Sequence, residues 1–292
     1  MENSAVFDRA CLIQLSTSVW QGSRMIDPSL MRRINDNSDW LRGRKYLIDP
    51  ELLAPVRLVA GRARKLLQKH ALPFPVPSVH LIPKESLDTV DAQLSDLKTA
   101  FQAEVVNFEN QYVDARRQAR EILGELFDDA DYPVDILPRF GFTWRFLAVE
   151  VPGKSTLLSP EIYAREKQKF HDMMAETREL AQTALREEFA QVVESLSRRL
   201  TADGGRPRML TPKMFERMSE FLDSLDARNI FEDERLRDLM VQARQLIGSA
   251  ASGDPGDNAF IRRRVQNEMT RLKNAVEEAV EELPRRRLRL AV

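Results

Sequence analysis

The sequence predicts a mainly α-helical protein with a long antiparallel coiled-coil hairpin, a small β element and helical lobes on both sides of the hairpin. Two charged segments with few helix breakers, 86–131 and 159–202, have nearly equal length, and a short aromatic segment, 132–158, joins them. Charged residues make up 30% of the chain and aromatic residues 7%, which is typical of long exposed helices rather than of one large globular core. A helix of about forty residues is roughly 60 Å long, so we expect the hairpin to form an arm.

The N-terminal segment, 1–84, is predicted to form an α/β lobe. Residues 10–20 favour β structure and partly alternate between apolar and polar side chains, which predicts a strand. Asp-Pro pairs at 27–28 and 49–50 each predict the start of a helix, because Asp is a favoured N-cap and proline fits the first helical position. A second β-like piece, 78–82, lies between prolines and precedes the first long helix.

The hairpin is predicted to span 85–204, with a β-containing tip at 132–158. In its first helix, apolar residues recur every three or four positions, as along a coiled-coil seam. These residues are Leu87, Val90, Leu94, Leu97, Phe101, Val105, Phe108, Tyr112, Ala115, Ala119, Ile122 and Leu126. The second helix is expected to begin at Ser159-Pro160 and to end before Gly204-Gly205. Its stripe consists of Tyr163, Phe170, Met174, Thr177, Ala181, Leu185, Phe189, Val192, Leu196 and Leu200.

The tip contains a third β-rich piece, 140–149, and we expect the three short strands to pair into a small sheet. The C-terminal region, 205–292, is predicted to be helical with a basic tail. A Thr-Pro pair at 211–212 predicts a helix start, and apolar stripes continue through 236–246 and 261–283.

Composition limits the classes of function. The net charge of −1 implies no overall attraction to nucleic acid or to anionic lipid. One cysteine, Cys11, cannot form a disulfide framework within the chain, and a reducing cytoplasm is the expected compartment. The first residues lack the basic and apolar regions of a signal peptide, and no run of about eighteen apolar residues predicts a membrane span.

Residues 148–155 match a relaxed form of the phosphate-binding loop, but the physical requirements of such a loop argue against nucleotide binding. Backbone N–H groups must surround the phosphates, and Pro152 has none. Glu150 would place a negative charge beside the phosphates. The next helix is predicted to begin only at Pro160, too late for its N-terminus to face the nucleotide. We therefore interpret the match as a turn after a strand and predict no enzymatic activity and no cofactor.

The three histidines, His70, His80 and His171, are far apart in the sequence, and none has a metal-ligand partner at a suitable spacing. We predict no metal site.

Two groups of residues are candidates for binding a macromolecule. Clustered arginines could contact the phosphates of nucleic acid, or could be solvated surface. They are Arg262, Arg263, Arg264, Arg285, Arg286, Arg287 and Arg289. Aromatic residues of the tip could bind a protein partner if they are exposed, or could pack the strand against the hairpin. They are Tyr132, Phe140, Phe142, Trp144 and Phe146.

Several short motifs along most of the chain resemble a family of bacterial, phage and mobile-element proteins catalogued as domain of unknown function 3150. The matching pieces are 15–20, 49–53, 81–83, 132–133, 140–142 and 225–230. The family has no assigned catalytic residues. Its members are often encoded beside a MoxR-type AAA+ ATPase and a protein with a von Willebrand A-type domain. The resemblance therefore implies an adaptor role in a phage or mobile-element system.

The leading hypothesis is a non-enzymatic interaction, scaffold or adaptor protein that self-associates or works with an AAA+ ATPase. The alternative is a nucleic-acid-binding accessory protein that uses the C-terminal arginine clusters. The two helices of the hairpin could pair within one chain or between two chains.

Overall fold

A computed structural model describes residues 2–27, 43–148, 159–200, 212–251 and 259–282. Helices predominate, and a small sheet accompanies them, which confirms the mainly α prediction. The helices are α1 (Glu2–Arg9), α2 (Ala54–His70), α3 (Leu87–Leu123), α4 (Pro160–Leu200), α5 (Pro212–Arg228), α6 (Glu234–Ala251) and α7 (Ala259–Glu281). The strands are β1 (Ala10–Ser18), β2 (Ser23–Met25), β3 (Arg44–Tyr46), β4 (Leu72–Pro73), β5 (Val79–Pro83) and β6 (Gly141–Leu147).

The chain forms two compact units. The first unit comprises 1–13, 69–87 and 146–292, and the second unit comprises 14–68 and 88–145. Each unit is therefore assembled from parts that are distant in the sequence. The predicted division into an N-terminal lobe, 1–84, a hairpin, 85–204, and a C-terminal helical region, 205–292, stays a prediction.

The strands predicted at 10–20, 78–82 and 140–149 are β1, β5 and β6, and they belong to one four-stranded sheet with the order β4-β5-β1-β6. Strands β4 and β5 are antiparallel, with Leu72 opposite Leu81. Strands β2 and β3 form a separate antiparallel pair. The predicted start at Asp49-Pro50 is confirmed, because the Asp49 side chain accepts a hydrogen bond from the Glu51 N–H as a short 3-10 turn leads into α2. The helix predicted from 27–28 lies outside the described residues.

Both long helices are present, and α4 begins at Pro160 as predicted. The buried side of α3 follows the predicted stripe through Ala119. Its residues Phe108, Tyr112, Ala115 and Ala119 pack in the second unit beside Leu47, Ile48, Leu53, Tyr132 and Ile136. Ile122, at the end of the predicted stripe, is instead 73% exposed.

The buried side of α4 packs in the first unit. Its residues Met174, Ala181, Leu185, Phe189 and Val193 share a core with apolar residues of α5, α6 and α7. Val193 is fully buried where the sequence indicated Val192. Each stripe thus packs within its own unit, and the pairing of the two helices as a coiled-coil hairpin is not confirmed. Seam periodicity identifies a buried helix face but not the element that covers it.

A buried ionic cluster connects the helices of the first unit at the turn between α5 and α6. Arg186 on α4 donates two hydrogen bonds to Asp233, at 2.7 and 2.8 Å, and a third to the Ala279 carbonyl of α7 at 2.8 Å. Asp233 also accepts from the Leu236 N–H at 3.1 Å and so caps α6. The Asn229 side chain accepts from the Asp233 N–H and donates to its carbonyl.

A second buried arginine lies at the end of α5. Arg228 is 3% exposed and forms a bidentate pair with Glu188 of α4, at 2.6 and 3.1 Å. Because each buried guanidinium has carboxylate and carbonyl acceptors, these charges fix how α4, α5, α6 and α7 align. Residues 225–230, one of the motifs on which the resemblance in the sequence rests, include both Arg228 and Asn229.

In the second unit, the chain after α3 folds back onto that helix. Arg116 and Arg120 both donate to Asp129, at 2.7 and 2.8 Å. The same two guanidiniums lie over aromatic rings, Arg116 over Tyr132 at 5.6 Å and Arg120 over Phe127 at 4.9 Å. These contacts position the residues that lead to β6.

None of the helices within the described ranges is both long enough and apolar enough to cross a membrane.

Candidate protein-interaction surface

The five aromatic residues of the predicted tip lie in different environments. Tyr132 and Phe142 are buried, with 4% and 5% of their surface exposed. Phe140 and Trp144 are half-buried, and Phe146 is 38% exposed. Tyr132 and Phe142 are therefore packed in the interior, and a role of the five aromatic residues in partner binding stays a prediction.

Helix α3 covers the face of β6 that carries the aromatic side chains. The rings of Phe101 and Phe142 are 5.4 Å apart, and Trp144 meets Phe142 edge to face at 6.1 Å. The Trp144 indole N–H donates to Asp91 at 2.8 Å, and the Lys98 ammonium lies 5.7 Å from the indole ring. A hydrogen bond, ring packing and a cation–π contact thus position the Trp144 ring against α3.

Between α3 and the start of β6 lies an apolar cleft of about 350 Å³. It is lined by Phe101, Gln102, Val105, Val106, Leu137, Phe140, Gly141 and Phe142. Phe101, Val105 and Phe142 are buried, whereas Val106 is 50% exposed and Leu137 is 40% exposed. The cleft therefore has an apolar base and two exposed aliphatic side chains, the arrangement that ligand and partner sites favour.

Sequence reasoning missed Val106 and Leu137. Val106 follows the seam residue Val105, and two adjacent valines on a helix cannot both face the same core. This pair was a signal that one valine is exposed. Leu137 belongs to a 3-10 turn, Leu137–Arg139, where no simple periodicity indicates which side chains are exposed.

Strand β6 is an edge strand, because it pairs with β1 on one side and no described strand pairs with its other side. Gly141 permits close approach to β1, since a Cβ atom there would lie 2.6 Å from the Ser18 hydroxyl oxygen. Arg139 and Arg145 are exposed, and neither side chain has a hydrogen bond or an ion pair within the described ranges. Unpaired backbone groups and two uncompensated positive charges thus occur beside the cleft.

The other predicted sites are described only in part. Of the phosphate-loop-like segment 148–155, the described residues include Ala148 alone. Arg262, Arg263 and Arg264 lie in the first turns of α7, but their side chains are outside the description, and so is the entire tail with Arg285, Arg286, Arg287 and Arg289. Nucleic-acid binding by these arginines stays a prediction.

The histidines lie on separate elements: His70 ends α2, His80 is in β5, and His171 is on α4. Burial lowers the pKa of both His70 and His80, and neighbouring Lys69 and Arg228 add to the lowering of the pKa of His70. Across the described residues, no group of three or more His, Cys, Asp or Glu side chains could hold a metal ion.

Residues 7–226 match a protein family described as "Protein of unknown function (DUF3150)". This match covers more than half of the chain. It includes five of the six motifs that suggested the resemblance, and it ends within the sixth, 225–230. No curated protein and no solved structure matches the chain.

Proposed function

The chain belongs to the DUF3150 family, and we propose that it is a non-enzymatic scaffold or adaptor that binds another protein at the cleft between α3 and β6. The observation that carries this proposal is the exposure of Val106 and Leu137 above an apolar base formed by Phe101, Val105 and Phe142. Single exposed apolar side chains are common on protein surfaces. Several of them around one concave apolar site are typical of a binding surface.

The energetics of the cleft favour a partner that covers it. Burying apolar surface is worth about 25 cal/mol per Å², so covering two half-exposed aliphatic side chains contributes roughly 2 kcal/mol. Their base is already rigid, because Phe101 and Phe142 are packed against each other. A partner therefore loses its own conformational freedom but does not need to order the cleft.

The resemblance supports a partner class. An AAA+ ATPase of the MoxR type, in a phage or mobile-element system, is the proposed partner, and self-association is the other arrangement consistent with a scaffold. Neither ATPase binding nor self-association requires α3 and α4 to pair as a hairpin, because the cleft belongs to the second unit alone.

Affinity purification of the full-length protein from its native host tests the proposal. We compare the wild type with Val106→Glu/Leu137→Glu and with the control Val113→Glu, which places the same charge on α3 at a 68% exposed valine outside the cleft. The partner identified by mass spectrometry is then purified and titrated calorimetrically with each variant. We expect the double substitution to weaken binding at least tenfold and the control to leave binding unchanged.

Circular dichroism of each variant tests whether its helices are intact. Equal affinity of wild type and double variant would refute the cleft as the binding site. If no partner is captured, light scattering on the same proteins tests self-association: a monomer at all micromolar concentrations would then refute the scaffold proposal.

A further inference from the structure

We propose that the open edge of β6 binds an extended acidic segment of a partner protein as an added strand, with an apolar side chain of that segment in the neighbouring cleft. This inference rests on the proposed function and specifies the chemistry of the partner. It combines three features of the second unit: an edge strand, an apolar cleft next to it and two arginines whose side chains have no partner among the described residues.

The backbone of β6 provides the main interaction. An edge strand presents a row of N–H and C=O groups that an extended peptide can pair with, and such pairing is a common mode of peptide recognition. Within the second unit, β6 offers Gly141–Arg145, which is about 16 Å of extended backbone. Ring packing and the hydrogen bond from Trp144 to Asp91 hold this strand on α3, so the edge is preformed.

The charges indicate which segment fits. Arg139 precedes β6 and Arg145 lies within it, so the edge carries one uncompensated positive charge near each end. Asp91 lies on α3, which covers the aromatic face of β6, and its carboxylate already accepts a hydrogen bond from the Trp144 indole N–H. A segment with carboxylates about four to six positions apart would reach both guanidiniums, and bidentate pairing with arginine is the strongest form of that contact. A second copy of the chain would instead bring two more uncompensated arginines to the same edge.

The cleft indicates what lies between the carboxylates. Gly141 and Phe142 of β6 line it together with Val106 and Leu137, so an added strand passes the opening of an apolar site. Alternate side chains of a strand point to the same face. We therefore expect a segment that alternates acidic and apolar residues, with the apolar side chains on the side of α3.

A display library of random seven-residue peptides, selected on the full-length protein, tests this inference. We expect enrichment of peptides that alternate acidic and apolar residues. Synthesised peptides should bind at least tenfold more weakly to Arg145→Glu and to Val106→Glu. The matched controls are Arg62→Glu, at another exposed arginine without a partner among the described residues, and Val113→Glu. Both controls should bind the peptides as the wild type does.

N-methylation of single peptide bonds tests the added strand itself. Because alternate N–H groups of a strand point toward its neighbour, we expect loss of binding at every second position. Enrichment of basic or purely apolar peptides, insensitivity to Arg145→Glu, or equal tolerance of N-methylation at all positions would each overturn the inference.

If a protein partner depends on Val106 and Leu137 while no peptide binds, strand addition is wrong and the scaffold proposal stands. A free dimer that Val106→Glu abolishes, with no peptide bound, would identify a second copy as the occupant and overturn the acidic segment.

Discussion

Removal of either charge of the buried pair between Arg186 and Asp233 should destabilise the first unit strongly. The Asp233 side chain is 2% exposed and that of Arg186 is 11% exposed, so water cannot solvate a charge left alone. We consider Asp233→Ala, Arg186→Met and the double variant. Breaking a buried ion pair by removing one partner costs about 3–5 kcal/mol, because an uncompensated charge stays buried.

The contacts refine this magnitude. Asp233→Ala removes both hydrogen bonds from Arg186 and the cap of α6 at the Leu236 N–H, and loss of a cap adds about 1 kcal/mol. Arg186 would keep only the Ala279 carbonyl. Arg186→Met leaves the carboxylate with its backbone donor, so we expect about 3–5 kcal/mol. The double variant should cost less than the sum of the single variants by at least about 2 kcal/mol, because no isolated charge is left.

Urea unfolding followed by far-ultraviolet circular dichroism measures these losses. Tryptophan fluorescence is recorded in parallel, because tryptophan occurs only in the chain ranges of the second unit. The control is Arg244→Met, which removes an exposed arginine from its pairs with Asp223 and Asp226 and should cost about 0–1 kcal/mol. If Asp233→Ala and Arg186→Met each cost no more than the control, or if the double variant costs their sum, the reasoning is refuted.

Four further predictions concern individual side chains. Tyr112→Phe should lower the free energy of unfolding by about 1 kcal/mol, because the Tyr112 hydroxyl donates to the Pro133 carbonyl at 3.0 Å. Tyr132→Phe should leave the free energy of unfolding unchanged or raise it, because the buried Tyr132 hydroxyl has no partner among the described residues. Urea unfolding of the two variants compares these effects. Burial also raises the pKa of Tyr132 to about 12, so an absorbance titration should lose its last tyrosine step in Tyr132→Phe. Hydrogen bonds from arginine, chiefly from Arg116, lower the pKa of Asp129. The contribution of Asp129 to stability is therefore present above about pH 4 and is lost as the pH falls. Carboxylate NMR should show a higher pKa for Asp129 in Arg116→Met, and an unchanged pKa would contradict the contact. Burial lowers the pKa of His80, so the unfolded state takes up the proton first and the free energy of unfolding falls as the pH drops below about 6.5. Urea titrations at several pH values should show a smaller fall in His80→Gln. An equal dependence on pH in the variant and the wild type would show that other groups cause the fall.

Local patterns were sufficient to predict the long helices and the strands β1, β5 and β6, but not α1, β2, β3 or β4. The stripe from Val90 to Ala119 and the cap at Ser159-Pro160 predicted where α3 is buried and where α4 begins. Both features depend on residues close together in the sequence, through helix periodicity and through hydrogen bonds of the first turn. The strand at 140–149 was predicted for a similar reason, because aromatic and β-branched residues favour extended backbone.

The interaction surface could be predicted only in part. Phe140 and Phe142 were identified as candidates, and they do line the cleft. Val106 and Leu137 were not identified, although they supply its exposed side chains. Their exposure depends on which elements pack beside them, and a periodic pattern does not contain that information.

The sequence by itself therefore determined the helices α2 to α7, the strands β1, β5 and β6, the buried face of each long helix and the membership in a family of unknown function. Only the tertiary structure decided what those faces pack against. A stripe of Leu, Val and Phe loses contact with water equally well against another long helix, a strand or a turn, because apolar burial has no direction. The partners of Arg186 and Arg228 and the cleft beside β6 follow from contacts between residues far apart in the sequence.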